Sequence, residues 1–433
     1  MTTTKNNEHK KLNFSSEREQ SQACLNSAEH EKNQGRKVLN VPNLRFPEFK
    51  GEWKKCKLSE ICTFFSGGTP SSSNKDFYGG NIAFIRSGEL HADSTELFIT
   101  QAGFDSSSAK MVEVGDLLLA MYGATSGDIA VSKIKGAINQ AILCIRTKQN
   151  KKFIESVWNK HVSKNLRKYL QGGQGNLSAD IVKGISFFFP TLKEQEKIAN
   201  LVSLLDERIA TQNKVINRLQ SLIKGLADNL LDNPLWEKTY LRSFMQFFST
   251  NSLSWEQLSY KEGEIRNLHY GLIHGFLTSG IDSASLPMIK YGAMPKQYTL
   301  CKVGDVAFAD ASEDTGDIGK SVEFVDTIEA DTICGLHTIH GRDVKNKTLV
   351  GFKGFAFNCR YFHDQIKRLA QGTKVFSITA NNLSSCYVYL PDIETQKVIV
   401  RLLKAYEEQL IACRMTLKQY EKQKQYLLRQ MFI

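Results

Sequence analysis

The chain has 433 residues, 41% of them hydrophobic, with 56 Lys and Arg against 45 Asp and Glu and a formal net charge of +11 at pH 7. That length and apolar content allow more than one buried core and exclude wholesale disorder, while apolar runs such as Leu117 to Met121 and Phe187 to Phe189 fall far short of the ~18 residues a membrane-spanning helix needs. The polar N-terminus, MTTTKNNEHKKLNFSSEREQ, argues against secretion, nine cysteines scattered from Cys24 to Cys413 without a C-x-x-C pair fit reduced thiols in a cytoplasm, and the positive charge points to a polyanionic partner.

In chain order, residues 1–40 lack a sustained apolar period and are expected to form a flexible tail. Residues 41–190 hold short apolar runs, DLLLAM, AILCI and ISFFF, between Gly, Ser and Asn connections, which predicts the strands of an α+β domain. A long helix is predicted over 191–234. Its apolar seam runs Ile198, Val202, Leu205, Ile209, Gln212, Ile216, Leu219, Ile223, Leu226 and Leu230 in alternating steps of four and three. Thr191 with Glu194 forms an expected capping box after Pro190, and Asp232-Asn233-Pro234 ends the helix. Residues 235–391 repeat the strand pattern, including CYVYL, and 392–433 form a second helix that Asp392 can cap after Pro391. Adding 201 to the first seam gives Ile399, Leu403, Tyr406, Leu410, Cys413, Leu417, Tyr420, Lys424, Leu427 and Met431, the same register with one charged interruption. A 3.5-residue repeat of this length is a coiled-coil seam.

The two halves are an internal duplication. Trp53, Lys55, Leu58 and Phe64-Phe65-Ser66 fall on Trp236, Lys238, Leu241 and Phe247-Phe248-Ser249 at an offset of 183. VGD at Val114 and GDI at Gly127 recur at 189, INQAILCIR lies over GLHTIHGR near 197 with Ile142 on Ile339, and Pro190 and Gln195 recur at 201. Offsets that only grow mean loop insertions in the second copy. Helices of about 41 residues are roughly 60 Å long, whereas a compact unit of about 155 residues has a radius of gyration near 15 Å, so antiparallel pairing of the helices closes the chain more easily than parallel pairing. The expected fold is therefore α+β, with two similar globular domains separated by two long antiparallel coiled-coil helices and an approximate two-fold axis within one chain.

Catalytic constellations do not emerge. GDIGKS at Gly316 to Ser321 lacks the earlier glycine of a phosphate-binding loop, because that position is Asp314, and GGQG at Gly172 has neither the spacing nor the strand-to-helix context of a dinucleotide motif. Cys334, His337 and His340 are too few for a structural metal site, so no metal is expected. Gly-rich polar loops with basic or amide side chains are instead suited to phosphate and base-edge contacts. In the first half they offer Thr69, Ser71, Lys75, Tyr78, Arg86, Ser87, Tyr122, Thr125, Ser126, Asn139, Gln140, Lys168, Gln174 and Asn176. The second half offers His274, His337, Lys374 and Ser377. The loops diverge over a repeated frame: YGATSGD in the first half stands where the second has ADASEDTGD.

NVPNLRFPEFKGEWKKCKLSEI, GGTPSSSNKDFYGGNIAFIRSGEL, GDLLLAMYGATSGDIAVSK and FPTLKEQEKIANLVSLLDERI together resemble the specificity subunit of type I restriction-modification systems, over roughly residues 41 to 433. The resemblance implies two target-recognition domains, 41–190 and 235–391, each reading one half of a bipartite site in double-stranded DNA. It implies helices that space them and dock two methylation subunits, with restriction subunits completing a bacterial cytoplasmic complex. The chain itself would be non-catalytic and hold no cofactor; S-adenosylmethionine, ATP and Mg2+ would belong to the partner subunits. The second half departs from the family pattern at ADASEDTGD and lacks a GGTPS counterpart. The competing readings are a stand-alone methyltransferase or nuclease, and a coiled-coil adaptor that binds only proteins.

Overall fold

The structure is a computed structural model that describes residues 39–169, 177–275, 280–281, 283–325 and 330–433, except for the side chains of 162–169. Residues 1–38 of the expected tail, Lys168's side chain, Gln174 and Asn176 lie outside the described residues. The chain divides into two compact units, one ending at Asp206 and completed by Lys422–Ile433, the other Glu207–Glu421.

In the first unit, β1 (Lys54–Lys57), β2 (Cys62–Ser66), β3 (Tyr78–Ile85), β4 (Phe98–Ile99), β5 (Lys110–Val112), β6 (Leu117–Ala120), β7 (Ile129–Val131), β8 (Gly136–Ile138), β9 (Ile142–Thr147) and β10 (Ser186–Phe189) form three sheets. Their orders are β1-β10, β2-β9-β6-β7 and β4-β3-β8-β5, antiparallel except for the β3–β8 pair. The run Leu117–Ala120 is apolar at every position because β6 is buried on both faces. In β10 only Phe187 and Phe189 are buried, the period-two pattern of a strand with one face inward.

The second unit repeats the order of the first two of these sheets and keeps a parallel pair in the third. Its strands are β11 (Glu237–Tyr240), β12 (Met245–Phe248), β13 (Leu258–Ser259), β14 (Arg266–Leu268), β15 (Met288–Ile289), β16 (Val306–Ala309), β17 (Ala311–Ser312), β18 (Ser321–Glu323), β19 (Thr332–Cys334), β20 (Thr338–Asp343), β21 (Phe376–Ser377) and β22 (Tyr387–Leu390). The sheets run β11-β22, β12-β20-β16-β18 and β13-β15-β14-β19, with β14–β19 the parallel pair, and a small β17–β21 ladder is added. Lys54 pairs with Phe189 as Glu237 pairs with Leu390, which fits the offsets of 183 and 201.

The middle of the repeat needs a correction of one residue. Leu117 pairs with Ile145, and its equivalent Val306 pairs with Gly341 rather than Arg342. The offset there is 196, so Leu143 matches Ile339, and the turn 139–141 matches 335–337. A slip of one residue reverses the inward and outward faces of a strand. The apolar text of INQAILCIR hid this slip because β9 is buried on both faces.

The long helices span Leu192–Leu231 and Ile393–Met431. Within the first unit, Ile198 and Val202 share a core with Leu427, Met431 and Phe432, together with Trp53 and Phe153. Asp206 accepts ion pairs from Lys152 at 2.7 Å and Lys424 at 2.5 Å, which gives the charged seam position its partner. Within the second unit, Ile216, Leu219, Ile223 and Leu226 share a core with Ile399, Leu403, Tyr406, Leu410 and Leu417. Leu205 is buried, while Ile209 and Tyr420 are half-buried. The Gln212 amide donates to the Cys413 carbonyl at 3.0 Å, and 413 is the repeat equivalent of 212. A residue meeting its own counterpart marks a local two-fold between antiparallel helices. Helix starts follow the sequence in part. Asp392 Oδ1 accepts from the Thr395 backbone at 2.8 Å, and Thr191 Oγ1 from the Glu194 backbone at 3.4 Å. The Glu194 carboxylate, however, is buried and bonded to Arg45 and Trp53 instead of closing the capping box.

Candidate nucleic-acid interface

Each unit builds one loop-rich sheet edge on a repeated frame. In the first, the carboxyl ends of β2, β3, β6 and β8 meet. Gly67 lies so close to the Ile138 carbonyl that a Cβ there would stand 1.7 Å from it, which brings the GGTP loop onto the 139–141 turn. Thr69 Oγ1 donates to Gln140 Oε1 across that contact. Ile85 pairs with Ile138, so Arg86 and Ser87 leave β3 beside Asn139. Met121 N donates to the Ala141 carbonyl at 2.8 Å, which places the Tyr122–Ser126 loop alongside. Thr69, Arg86, Ser87, Tyr122, Thr125, Ser126, Asn139 and Gln140 are thus brought to one edge.

Ser71, Lys75 and Tyr78 sit toward the start of β3. Tyr78 still reaches the edge indirectly, since its hydroxyl donates to the Pro70 carbonyl at 2.8 Å beside Thr69. Arg86 spends its Nε and Nη2 on Glu89 at 3.2 and 3.0 Å, a bond that raises the guanidinium's pKa and leaves its Nη1 side exposed. His91 Nε2 meets Asp128 Oδ1 at 2.9 Å and clasps the loop after β3 to the loop after β6; that bond, opposed by burial, raises the imidazole's pKa.

Beneath both edges lies the same ion pair. Arg146 holds buried Asp116 at 2.7 Å and stacks on Phe65, with 4.9 Å from guanidinium carbon to ring centre. Arg342 holds buried Asp305 at 2.6 Å and stacks on Phe248 at 5.0 Å. Burial pushes both carboxyl pKa values up. The hydrogen bonds from the arginines, joined at Asp305 by His340, outweigh it and hold both below the ordinary range. The VGD repeat recorded this frame.

The second edge carries different side chains. His337 takes a left-handed backbone with φ 54°, lies 3.2 Å from Asp310 and meets the Tyr270 ring edge-on at 5.3 Å. Tyr270 continues to His269 at 4.7 Å and to Trp255 at 4.4 Å beyond it. His269 and Tyr270 follow β14 as Arg86 and Ser87 follow β3, so they were discoverable in the sequence once the parallel strands were aligned. Trp255 had no such signal. Ser377 pairs with Ala311 just past Asp310, and exposed Lys374 sits in the preceding turn, so both adjoin the His337 region. His274 does not join them. It lines a cleft with Asp317, Lys320, His363 and Arg414, where burial and the Lys320 charge lower its pKa.

A family model described as the type I restriction modification DNA specificity domain matches residues 50–221. The MjaVIII type I specificity subunit of Methanocaldococcus jannaschii is 22% identical over 404 residues, covering 88% of this chain and 91% of that one. The EcoR124I/EcoR124II specificity subunit of Escherichia coli is 28% identical over 174 residues, 38% of this chain and 43% of its own. The type I restriction-modification S subunit from M. genitalium superposes with a TM-score of 0.55 at 15% identity, over 91% of this chain and 99% of that one. Residues 50–221 thus match a type I DNA specificity domain, and the chain as a whole is similar to type I specificity subunits. Its α+β fold with two long helices is similar to that of the solved S subunit, and no described helix is long and apolar enough to cross a membrane.

Proposed function

We propose that this chain is a specificity subunit that addresses a type I restriction-modification complex to a bipartite DNA site, with each unit's sheet edge reading one half-site. The observation that carries this reading is a repeated frame around a buried aspartate, Arg146–Asp116–Phe65 and Arg342–Asp305–Phe248, with unlike edge residues above it. A framework that fixes position under variable base-reading side chains suits two different half-sites. Arg86, Asn139 and Gln140 have the guanidinium and amide chemistry that reads guanine and adenine edges in the major groove. His337 and Tyr270 supply a different donor and aromatic surface. The domain limits that follow are 41–190 and 235–391, with 191–234 and 392–433 as spacer helices.

On this reading two methylation subunits dock along the helices and bring S-adenosylmethionine chemistry, while restriction subunits bring ATP and Mg2+. The half-sites lie about one helical turn or somewhat more apart, roughly 34 Å. A mobility-shift assay on bipartite duplexes, across salt concentrations and with and without methylation subunits, tests it. Binding should require both half-sites and weaken steeply with salt. Binding indifferent to sequence, or methyl transfer by the purified chain alone, would refute it.

A further inference from the structure

Beneath the Gly335–His337 turn, three buried side chains of the second unit converge. Cys301, Cys334 and His340 are 7%, 3% and 1% exposed. One ligand atom from each lies within 4.8 Å of the others. The trio visible in the sequence was Cys334, His337 and His340. In the fold His337 leaves to Asp310, and Cys301, 33 residues before Cys334, takes its place.

The repeat shows that the fold does not require these groups. Cys301 N bonds the Thr332 carbonyl beside β19, as Val112 pairs with Gly136 in the first unit. Cys334 ends the strand that Ile138 ends, and His340 opposes Ala307 as Cys144 opposes Leu118. The first unit therefore fills the three positions with Val112, Ile138 and Cys144, all in one apolar core. The second unit thus sets two thiols and an imidazole where the first has two aliphatic side chains and one thiol, a change that packing alone does not call for.

Their spacing suits a cation better than a crosslink. The Cys301 and Cys334 sulfurs are 3.6 Å apart, against about 2.05 Å in a disulfide. Tetrahedral zinc with Zn–S bonds of ~2.3 Å places two sulfurs about 3.8 Å apart. His340 Nε2 is fixed on Asp305 Oδ2 at 2.7 Å, and Arg342 holds Asp305 in turn. In the carboxylate–histidine arrangement a carboxylate on one ring nitrogen orients the imidazole, and the other nitrogen ligates the metal.

We propose that Cys301, Cys334 and His340 form a binding site for a thiophilic divalent cation of the zinc class. Binding breaks two S–H bonds and forms two metal–sulfur bonds and one metal–nitrogen bond. The two protons pass to solvent, two thiolates balance the dication, and water takes the fourth position. The cation ties β19 of one sheet to β20 of the other, directly under the turn that carries His337. Cation binding stands independently of the DNA-reading proposal.

The test uses the full chain, reduced and stripped with a chelator, titrated with Zn2+ alone and, in parallel, with Co2+. The control replaces the two cysteines by the first unit's own residues, Cys301→Val with Cys334→Ile, which the same fold already packs. The wild type should bind one equivalent of zinc, release two protons and show thiolate-to-cobalt charge-transfer absorption. The double variant should lose all three while keeping the metal-free wild type's circular dichroism. The proposal is overturned if the wild type retains no zinc, if the variant retains as much, or if rapid alkylation recovers Cys301 and Cys334 as a disulfide.

Discussion

Gly67→Ala should damage one half of the recognition surface and leave the other intact. Its Cβ would stand 1.7 Å from the Ile138 carbonyl oxygen and 2.5 Å from the carbonyl carbon, where contacts under 3.0 Å are essentially never seen. Both neighbours are backbone at the buried end of β8, so the GGTP loop must retreat by about 1 Å or more. That movement breaks the Thr69–Gln140 bond and displaces the loop from Asn139. Losing one well-placed base contact costs about 1–3 kcal/mol, or roughly five- to 150-fold in affinity. The equivalent position in the second unit is Thr250, which points a hydroxyl at the Thr338 carbonyl 2.9 Å away, so that edge is untouched. The assay is competition binding by the assembled complex with duplexes altered in either half-site. The variant should lose discrimination at one half-site only. Full discrimination at both half-sites, from a variant with unchanged thermal unfolding, would refute the reasoning.

Asp305→Ala strands Arg342 and His340 without their carboxylate and should destabilise the second unit by about 3–5 kcal/mol, read by chemical unfolding of single-unit probes. Inserting seven residues into both long helices at Gln212 and Cys413 preserves the 3.5-residue seam and lengthens it by about 10 Å; the unread gap should grow by about three base pairs with both half-sites unchanged. For pH, burial lowers the pKa of His269, His274 and His363, so the unfolded chain takes protons first and these residues withdraw stability from the second unit as pH falls below about 6.5. His91, its pKa raised chiefly by the Asp128 bond, acts oppositely: its contribution is complete below about pH 6.5 and fades as pH rises through its folded value. Unit-specific thermal melts between acid and neutral pH should show the second unit losing stability first.

The long helices were legible because a seam of thirty residues or more leaves little freedom of register, and the Gln212–Cys413 contact lies where equal helices must cross. Strands buried on both faces were found as apolar runs but lost their register. The Ile142–Ile339 match was therefore one residue off, and Gln140 corresponds to Leu336 instead of His337. The second edge was the least readable. His269 and Tyr270 follow a three-residue strand whose partner lies 66 residues onward, so no local period announces them. His274 looked like an edge residue by type, yet the short turn after Tyr270 carries it into the cleft beside Asp317. The Cys301–Cys334–His340 trio escaped for the same reason, since one ligand comes from a distant loop.

Mapping methylated adenines genome-wide in cells carrying this chain with its methylation subunits, then repeating with residues 235–391 exchanged for those of another specificity subunit, weighs the two-reader account most directly. The account predicts a bipartite motif in which one half changes with the exchange while the other half and the gap stay the same. A motif that changes in both halves, or in neither, would contradict it.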